Sequence, residues 1–434
     1  MLGFIDFLPL LIALFLLFMG VPMAVSFFTS AFIYFGFISR IIPLTSVIQS
    51  MVNGTMSTSM ICLPLFMMVG TIMMRAGIAD RLMDFCSTLV GHHRGGLAHV
   101  NVLLSTLDGG VTTSSNADCA MQCKILVPEM TKQGYPVGFS AAVTAASALI
   151  APIVPPGSNL ILYAIITETA VGSLFMAGYI PALILCILEM IVVAVAARKY
   201  NLPKAREKRA SLKEIAIAFK EGFWAIAIAL VLIVGLRFGL FTINEGATII
   251  ITMSFIVGFF VYKTLGWKDM FPLFKEALHA TCSIMLMLTS AKVFGLYLSC
   301  AGIPKAMADF VIKYTTSPAI FMILCCGVLF VAGMFLNGGP IITIMTPILF
   351  PIAQKLGINP IQFGIVMIVM TSTGAMTPPV GGCMYVCCNL LHIGIPEFQK
   401  WIWPFIFCFF ICVALLIIFP EISLFVPRLV FGSV

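Results

Sequence analysis

Four short stretches carry the residues of this chain that could do chemistry. Two are small-polar runs: Asp108, Gly109, Gly110, Val111, Thr112, Thr113, Ser114, Ser115 and Asn116, then Asn337, Gly338, Gly339 and Pro340. Two are breaks rich in proline and glycine, one from Ala151 and Pro152 through Pro155, Pro156 and Gly157 to Ser158 and Asn159, the other from Gly374 through Thr377, Pro378 and Pro379 to Gly381 and Gly382. All four interrupt apolar sequence. Proline removes a helical donor and clashes with the preceding turn, so a Pro-Pro pair unwinds an apolar helix. Carbonyls released in this way suit a dehydrated Na+, which takes several neutral oxygens in a fixed shell. Where a helix restarts, its first N–H groups favour an anion. The chemistry on offer is therefore coordination: carbonyl and hydroxyl oxygens for a cation, N–H groups with Ser, Thr and Asn side chains for an anion. Kinking and close packing would account for one such segment equally well, but less readily for four in paired positions.

The elements that must hold these stretches are set by composition. Of 434 residues, 61% are hydrophobic and 9% charged, against about 45–50% and about 25% in a soluble domain. The mean hydropathy of +1.12 excludes a soluble enzyme, a nucleic-acid binder and a disordered chain. The apolar runs, such as 8–19 and 226–236, are continuous, whereas a membrane β-barrel would alternate polar and apolar residues. The expectation is an all-α polytopic membrane protein in contact with lipid. About 20 apolar residues cross a bilayer as a helix. Spans are expected near 4–20, 22–39, 60–75, 176–197, 223–241, 246–262, 281–300 and 401–419. The N-terminal run has no basic leader and reads as a retained helix. Polar tips at bilayer depth would leave backbone groups unpaired at several kcal/mol each unless buried in protein or lining a watery cavity. Segments 95–130 and 318–354 therefore read as re-entrant helical hairpins, and 137–167 and 360–393 as discontinuous helices.

The net charge of +7 does not argue for nucleic acid, because the Lys and Arg residues sit in short loops and set orientation. The basic stretch 198–220 is expected to be cytoplasmic and the N-terminus periplasmic. The fourteen Cys lie mostly in apolar runs, lack a zinc-type CxxC pair and read as core filler. Lys292 stands inside an apolar run, where it could meet a substrate carboxylate or pair with Asp118 or Glu189. His92, His93 and His99 fall at the cytoplasmic edge.

The chain also matches itself. Ala76, Gly77 and Ile78 recur as Ala301, Gly302 and Ile303. Leu107, Asp108, Gly109 and Gly110 recur as Leu336, Asn337, Gly338 and Gly339. Pro155 and Pro156 recur as Pro378 and Pro379, and Pro181 as Pro404. Five crossings separate the first Ala-Gly-Ile from the second in the expected topology, which makes the repeats inverted, a frequent plan for secondary transporters with the site at the repeat interface. The divisions are N-terminal scaffold 1–60, repeat 1 at 61–197, basic linker 198–222, second scaffold 223–280, repeat 2 at 281–419 and a periplasmic tail at 420–434.

Over nearly its whole length the sequence resembles the large membrane (M) subunit of tripartite ATP-independent periplasmic (TRAP) transporters. The resemblance is carried by Leu126, Val127, Pro128, Glu129 and Met130 with Gly134 and Tyr135; by Ala151, Pro152, Ile153, Val154, Pro155 and Pro156; by Gly333, Met334, Phe335 and Leu336; by Thr346, Pro347, Ile348, Leu349, Phe350 and Pro351; and by Thr377, Pro378, Pro379, Val380 and Gly381. The family's Ser-Gly-Ser-Ser tip falls on Thr112, Thr113, Ser114 and Ser115, and its acidic residue after Met-Phe-Leu is Asn337 here. The resemblance implies Na+-driven uptake of an organic anion across a bacterial inner membrane. It also implies a periplasmic substrate-binding protein, a small four-helix membrane (Q) subunit, and an elevator in which hairpins and broken helices move against a scaffold.

One Na+ is expected at Thr112, Ser114, Ser115, Asn116, Ala151, Val154 and Pro155, and a second at Asn337, Gly338, Gly339, Gly374 and Thr377. Substrate is expected near Thr113, Ser158, Asn159, Pro340, Gly381 and Lys292. No cofactor beyond the coupling ion and no catalytic residue is expected. A stand-alone Na+/organic-anion symporter is the alternative; an intramembrane enzyme is remote, because the five His do not form a midplane cluster.

Overall fold

The computed structural model describes residues 4–39, 42–56, 58–109, 112, 114–314 and 317–432. Among them are twenty α-helices and no strand. In chain order these begin with α1 (Phe4–Phe18), α2 (Met23–Ile33), α3 (Leu44–Thr55), α4 (Thr58–Arg75), α5 (Ile78–Val90), α6 (Gly96–Asp108) and α7 (Ser115–Lys132). Next come α8 (Val137–Ser147), α9 (Ser158–Thr167), α10 (Val171–Lys199), α11 (Leu212–Arg237), α12 (Ile243–Ile256) and α13 (Met270–Ala301). The chain continues through α14 (Ile303–Tyr314), α15 (Pro318–Phe335), α16 (Gly338–Lys355), α17 (Pro360–Gly374), α18 (Gly382–Leu391), α19 (Ile395–Ile418) and α20 (Glu421–Phe431).

The all-helical class agrees with the sequence reading. Among the described residues five helices are long and apolar enough to cross a membrane: Val171–Lys199, Ile243–Val261, Trp267–Ala301, Pro318–Phe335 and Ile395–Ile418. Their outer faces are apolar. On α10, Leu183, Ile187, Ile191 and Val195 repeat every fourth residue and are exposed, the pattern of a face turned toward lipid.

Three boundaries differ from the expected ones. Helix α13 extends well before residue 281, because Lys275, Glu276 and His279 lower the hydropathy of its first half without breaking the helix. The tail contains α20, which packs against α10. The basic linker is partly helical: Ser211 and Glu214 form a capping box that starts α11. The remainder of the linker is tied down, with Gly95 N–H donating to Pro203 O at 3.0 Å and Arg206 N–H to Gly91 O at 3.0 Å.

The same order of elements occurs twice. Helices α4 and α13 each lead through a left-handed glycine, Gly77 (φ 69°) and Gly302 (φ 72°), into the shorter α5 and α14. A residue with a Cβ is strained there, which explains the glycine of each Ala-Gly-Ile motif. A helical pair follows (α6 with α7, α15 with α16), then a broken helix (α8 with α9, α17 with α18), then a long proline-containing helix (α10, α19). The Pro155–Pro156 and Pro378–Pro379 bonds are both cis.

The innermost elements are the first halves of the broken helices. Every residue of 138–147 and of 361–374 is buried. In α8 these are mostly Ala, Ser, Gly and Thr, small enough to let neighbouring backbones approach. Each outgoing hairpin helix packs against the second half of the other copy's broken helix: α7 on α18, and α16 on α9.

Candidate functional site

Each polar tip is seated on a break by the absence of a side chain. A Cβ on Gly109 would lie 2.7 Å from Val154 Cβ and 3.1 Å from Ala151 Cα, so the first tip rests directly on the first break. In the second copy a Cβ on Gly374 would fall 2.3 Å from Gly333 Cα, and Gly381 N–H donates to Met334 O at 2.9 Å. The tips also meet the opposite copy. A Cβ on Gly338 would lie 2.7 Å from Asn159 Nδ2. Asn116 Nδ2 donates to Asn337 Oδ1 at 3.4 Å, and Cys383 Sγ–H to Asn116 Oδ1 at 3.3 Å.

At this crossing lies a cavity of about 220 Å³. The start of α7 lines it with Ser114, Ser115 and Asn116, and the start of α9 with Ser158 and Asn159. The start of α16 contributes Asn337, Gly338, Gly339 and Pro340. Nine of the residues expected to hold sodium or substrate thus share one space. Three helix N-termini converge on it, each bringing a partial positive charge. Among the described residues the lining holds no Lys, Arg or His.

The other sequence candidates lie around this cavity and do not line it. Thr112, Ala151, Val154, Pro155, Gly374, Thr377 and Gly381 are not part of the lining, and Thr113 is outside the described residues. Lys292 is half-buried on α13 and is also outside the lining. Among the described residues no ion pair joins it to Asp118 or Glu189.

The two breaks differ in their free oxygens. Among the described residues no backbone N–H donates to the carbonyls of Ala151, Val154 or Pro155. Gly374 O, by contrast, accepts from Thr377 N–H at 3.0 Å and from Thr377 Oγ1–H at 2.6 Å. Ala375 O accepts from Cys383 N–H at 3.0 Å. The expectation that unwinding leaves carbonyls without helical partners therefore fits the first break better than the second, whose loop folds back on itself.

Pro152 and Ala375 of the two breaks also line it, and residues that the sequence reading did not single out complete the wall: Leu149 just before the first break, Ser372 near the end of α17, Leu162 of α9, and Ile284 and Met287 of α13. The hydroxyl run Thr371, Ser372, Thr373 before the second break was a legible signal. Ile284 and Met287 carry none, since only packing brings α13 to the site.

Behind the first tip a buried polar network fixes the hairpin. Asn101 Nδ2 donates to Thr144 Oγ1 at 2.7 Å and Ser147 Oγ to Asn101 Oδ1 at 2.7 Å. Asp118 accepts from Ser105 Oγ at 2.8 Å and from Gln122 Nε2 at 2.8 Å. All six side chains are inaccessible or nearly so, and together they lock α6 and α7 to α8.

With this geometry in view, comparison with known proteins is decisive. The model of the family described as tripartite ATP-independent periplasmic transporter, DctM component, matches residues 10–422. The chain belongs to that family. As a DctM component it is 31% identical to the C4-dicarboxylate TRAP transporter large permease protein DctM of Rhodobacter capsulatus, over 97% of this chain and 98% of that one. It is 30% identical to the sialic acid TRAP transporter large permease protein SiaM of Vibrio cholerae, over 96% and 97%. It is likewise 30% identical to the 2,3-diketo-L-gulonate TRAP transporter large permease protein YiaN of Escherichia coli, over 86% and 88%. The fold is shared with the YdaH transporter of Alcanivorax borkumensis, with a TM-score of 0.63 at 12% identity, covering 87% of this chain and 88% of that one. This DctM component is thus a multi-pass membrane subunit of a tripartite transporter and not an enzyme.

Proposed function

We propose that this chain carries an organic anion, a carboxylate or a sulfonate, together with Na+ across the bacterial inner membrane. One observation carries the reading: three helix N-termini meet at a cavity whose described lining contains no basic side chain. Such a site attracts an anion through backbone dipoles alone, which leaves most of the anion's charge to be balanced by co-bound cations. The uncommitted carbonyls of Ala151, Val154 and Pro155, beside Thr112 and the first tip, supply neutral oxygens for one Na+. A second Na+ sits by Asn337, Gly338, Gly339, Gly374 and Thr377, and binds more weakly because Gly374 O is already shared. Each cation moving inward gains about 2.3 kcal/mol per 100 mV.

The cavity is smaller than the about 300–1,000 Å³ of pockets for drug-sized ligands. That favours a small dianion such as a C4-dicarboxylate, or a small sulfonate, over a bulky sugar acid. The repeated order of elements and the crossed packing of α7 on α18 and α16 on α9 support an inverted repeat whose tips re-enter the membrane. In this reading the N-terminus is periplasmic, the basic linker is cytoplasmic, and the tips and breaks move as an elevator against the scaffold segments 1–60 and 223–280. A periplasmic binding protein delivers the anion, and a small four-helix subunit braces the scaffold.

The test is reconstitution in liposomes with the small subunit and a candidate binding protein loaded with radiolabelled C4-dicarboxylate. Uptake should require both an inward Na+ gradient and the binding protein. Equal uptake with K+ in place of Na+ overturns the coupling. Equal uptake without the binding protein would favour the stand-alone symporter.

A further inference from the structure

The tertiary structure assembles a sulfur cluster from residues far apart in sequence. Cys119 and Cys123 lie one turn apart on α7, and Cys387 faces them from α18. Cys119 Sγ is 3.1 Å and Cys123 Sγ 3.5 Å from Cys387 Sγ, and all three sulfurs lie within 4.8 Å of one another. The three residues are buried. A fourth cysteine, Cys383, lies beside Cys119, whose thiol donates to Cys383 O at 3.6 Å, but its own thiol donates to Asn116 Oδ1 and stays outside the group of three.

A metal–sulfur bond of about 2.3 Å sets three sulfurs about 4 Å apart around one trigonal ion. The cluster is close to that spacing and needs small side-chain shifts to reach it. Its ligands are sulfur alone, which selects soft cations. Structural zinc takes four ligands, and only three thiols converge here. Three thiolates with no fourth ligand offer a trigonal shell, which a soft ion of the copper(I) class accepts.

We propose that Cys119, Cys123 and Cys387 bind one soft monovalent metal ion of the copper(I) class between α7 and α18. On binding, the three thiols release their protons to water, the three thiolates form sulfur–metal bonds, and no electron is transferred. The bound ion ties the first hairpin to the second broken helix one turn from Asn116, beside the cavity. The assignment is independent of sodium coupling.

The experiment uses the full-length chain in detergent under anaerobic conditions, with Cys282→Ser and Cys300→Ser removing the two cysteines that are not buried. Copper(I) is supplied from a bathocuproine disulfonate buffer. One copper per chain, three sulfur neighbours by X-ray absorption and a raised Tm are expected, since a ligand that binds only the folded state stabilises it. Cys387→Ser should weaken binding by more than the about 10–100-fold that loss of an outer-shell partner costs a metal site. Cys123→Ala should weaken it as well, while Cys408→Ala with Cys412→Ala leaves it unchanged. The metal-free Tm of each variant shows that it is folded. Copper binding indifferent to both cluster variants, nitrogen or oxygen neighbours in the spectrum, or displacement by equimolar Zn2+ overturns the proposal.

Discussion

Asn116 donates an Nδ2 hydrogen to Oδ1 of Asn337 over 3.4 Å, joining the start of α7 to the start of α16 across 221 residues of chain. Both side chains line the cavity, and Asn116 Oδ1 also accepts from the Cys383 thiol. The two tips are thus coupled at the place where the anion is proposed to sit.

Replacing Asn337 by Ala removes this link. A net hydrogen bond contributes about 1 kcal/mol, so KM for uptake should rise about fivefold, with Tm little changed. An unaltered KM in liposomes would show that the tips bind substrate independently.

Gly374→Ala should be far more damaging than its size implies. The added methyl would lie 2.3 Å from Gly333 Cα and 2.7 Å from Phe330 O, both backbone atoms that cannot rotate away. Overpacking of this kind costs about 1–3 kcal/mol, and separating α15 from α17 should abolish uptake. Gly327→Ala, on the same α15 with nothing within 4 Å of its added Cβ, is the control and should transport normally.

Asp118→Ala removes one acceptor from each of two buried donors, Ser105 Oγ and Gln122 Nε2. Ser105 Oγ keeps Ser147 Oγ and Gln122 Nε2 keeps Ser105 Oγ as a second acceptor, so the loss is two hydrogen bonds at about 1 kcal/mol each, and unfolding in detergent should begin a few degrees earlier. Asp118→Asn, which keeps one acceptor oxygen, should lie between the two. Equal melting of all three proteins would mean that the network does not hold the hairpin.

Lys292→Met tests the absence of a cationic side chain from the described lining. Because Lys292 does not line the cavity, KM should change by less than about threefold. A loss of saturable binding in this variant would mean that the lysine reaches the anion after all.

Much of this was readable in the residues. The hydropathy of the runs specified helices and lipid, the Pro-Pro pairs marked where those helices break, and the recurrence of Ala-Gly-Ile and Leu-x-Gly-Gly revealed two equivalent units. These are local signals, carried by a few neighbouring residues and the period of the helix. Less legible were α20, the early start of α13 and the capped start of α11, where charge or brevity hides a helix from a hydropathy window.

What the sequence by itself determined was therefore the kind of protein and the stretches able to coordinate ligands, because helix breaking and lipid exclusion act over a few residues. The tertiary structure alone decided which stretches share one cavity, that Ile284 and Met287 complete its wall, that Gly374 O is already engaged by Thr377, and that the sulfurs of Cys119, Cys123 and Cys387 converge. Those relationships depend on how helices distant in sequence pack, and close backbone approach at Gly109, Gly333 and Gly374 sets that packing.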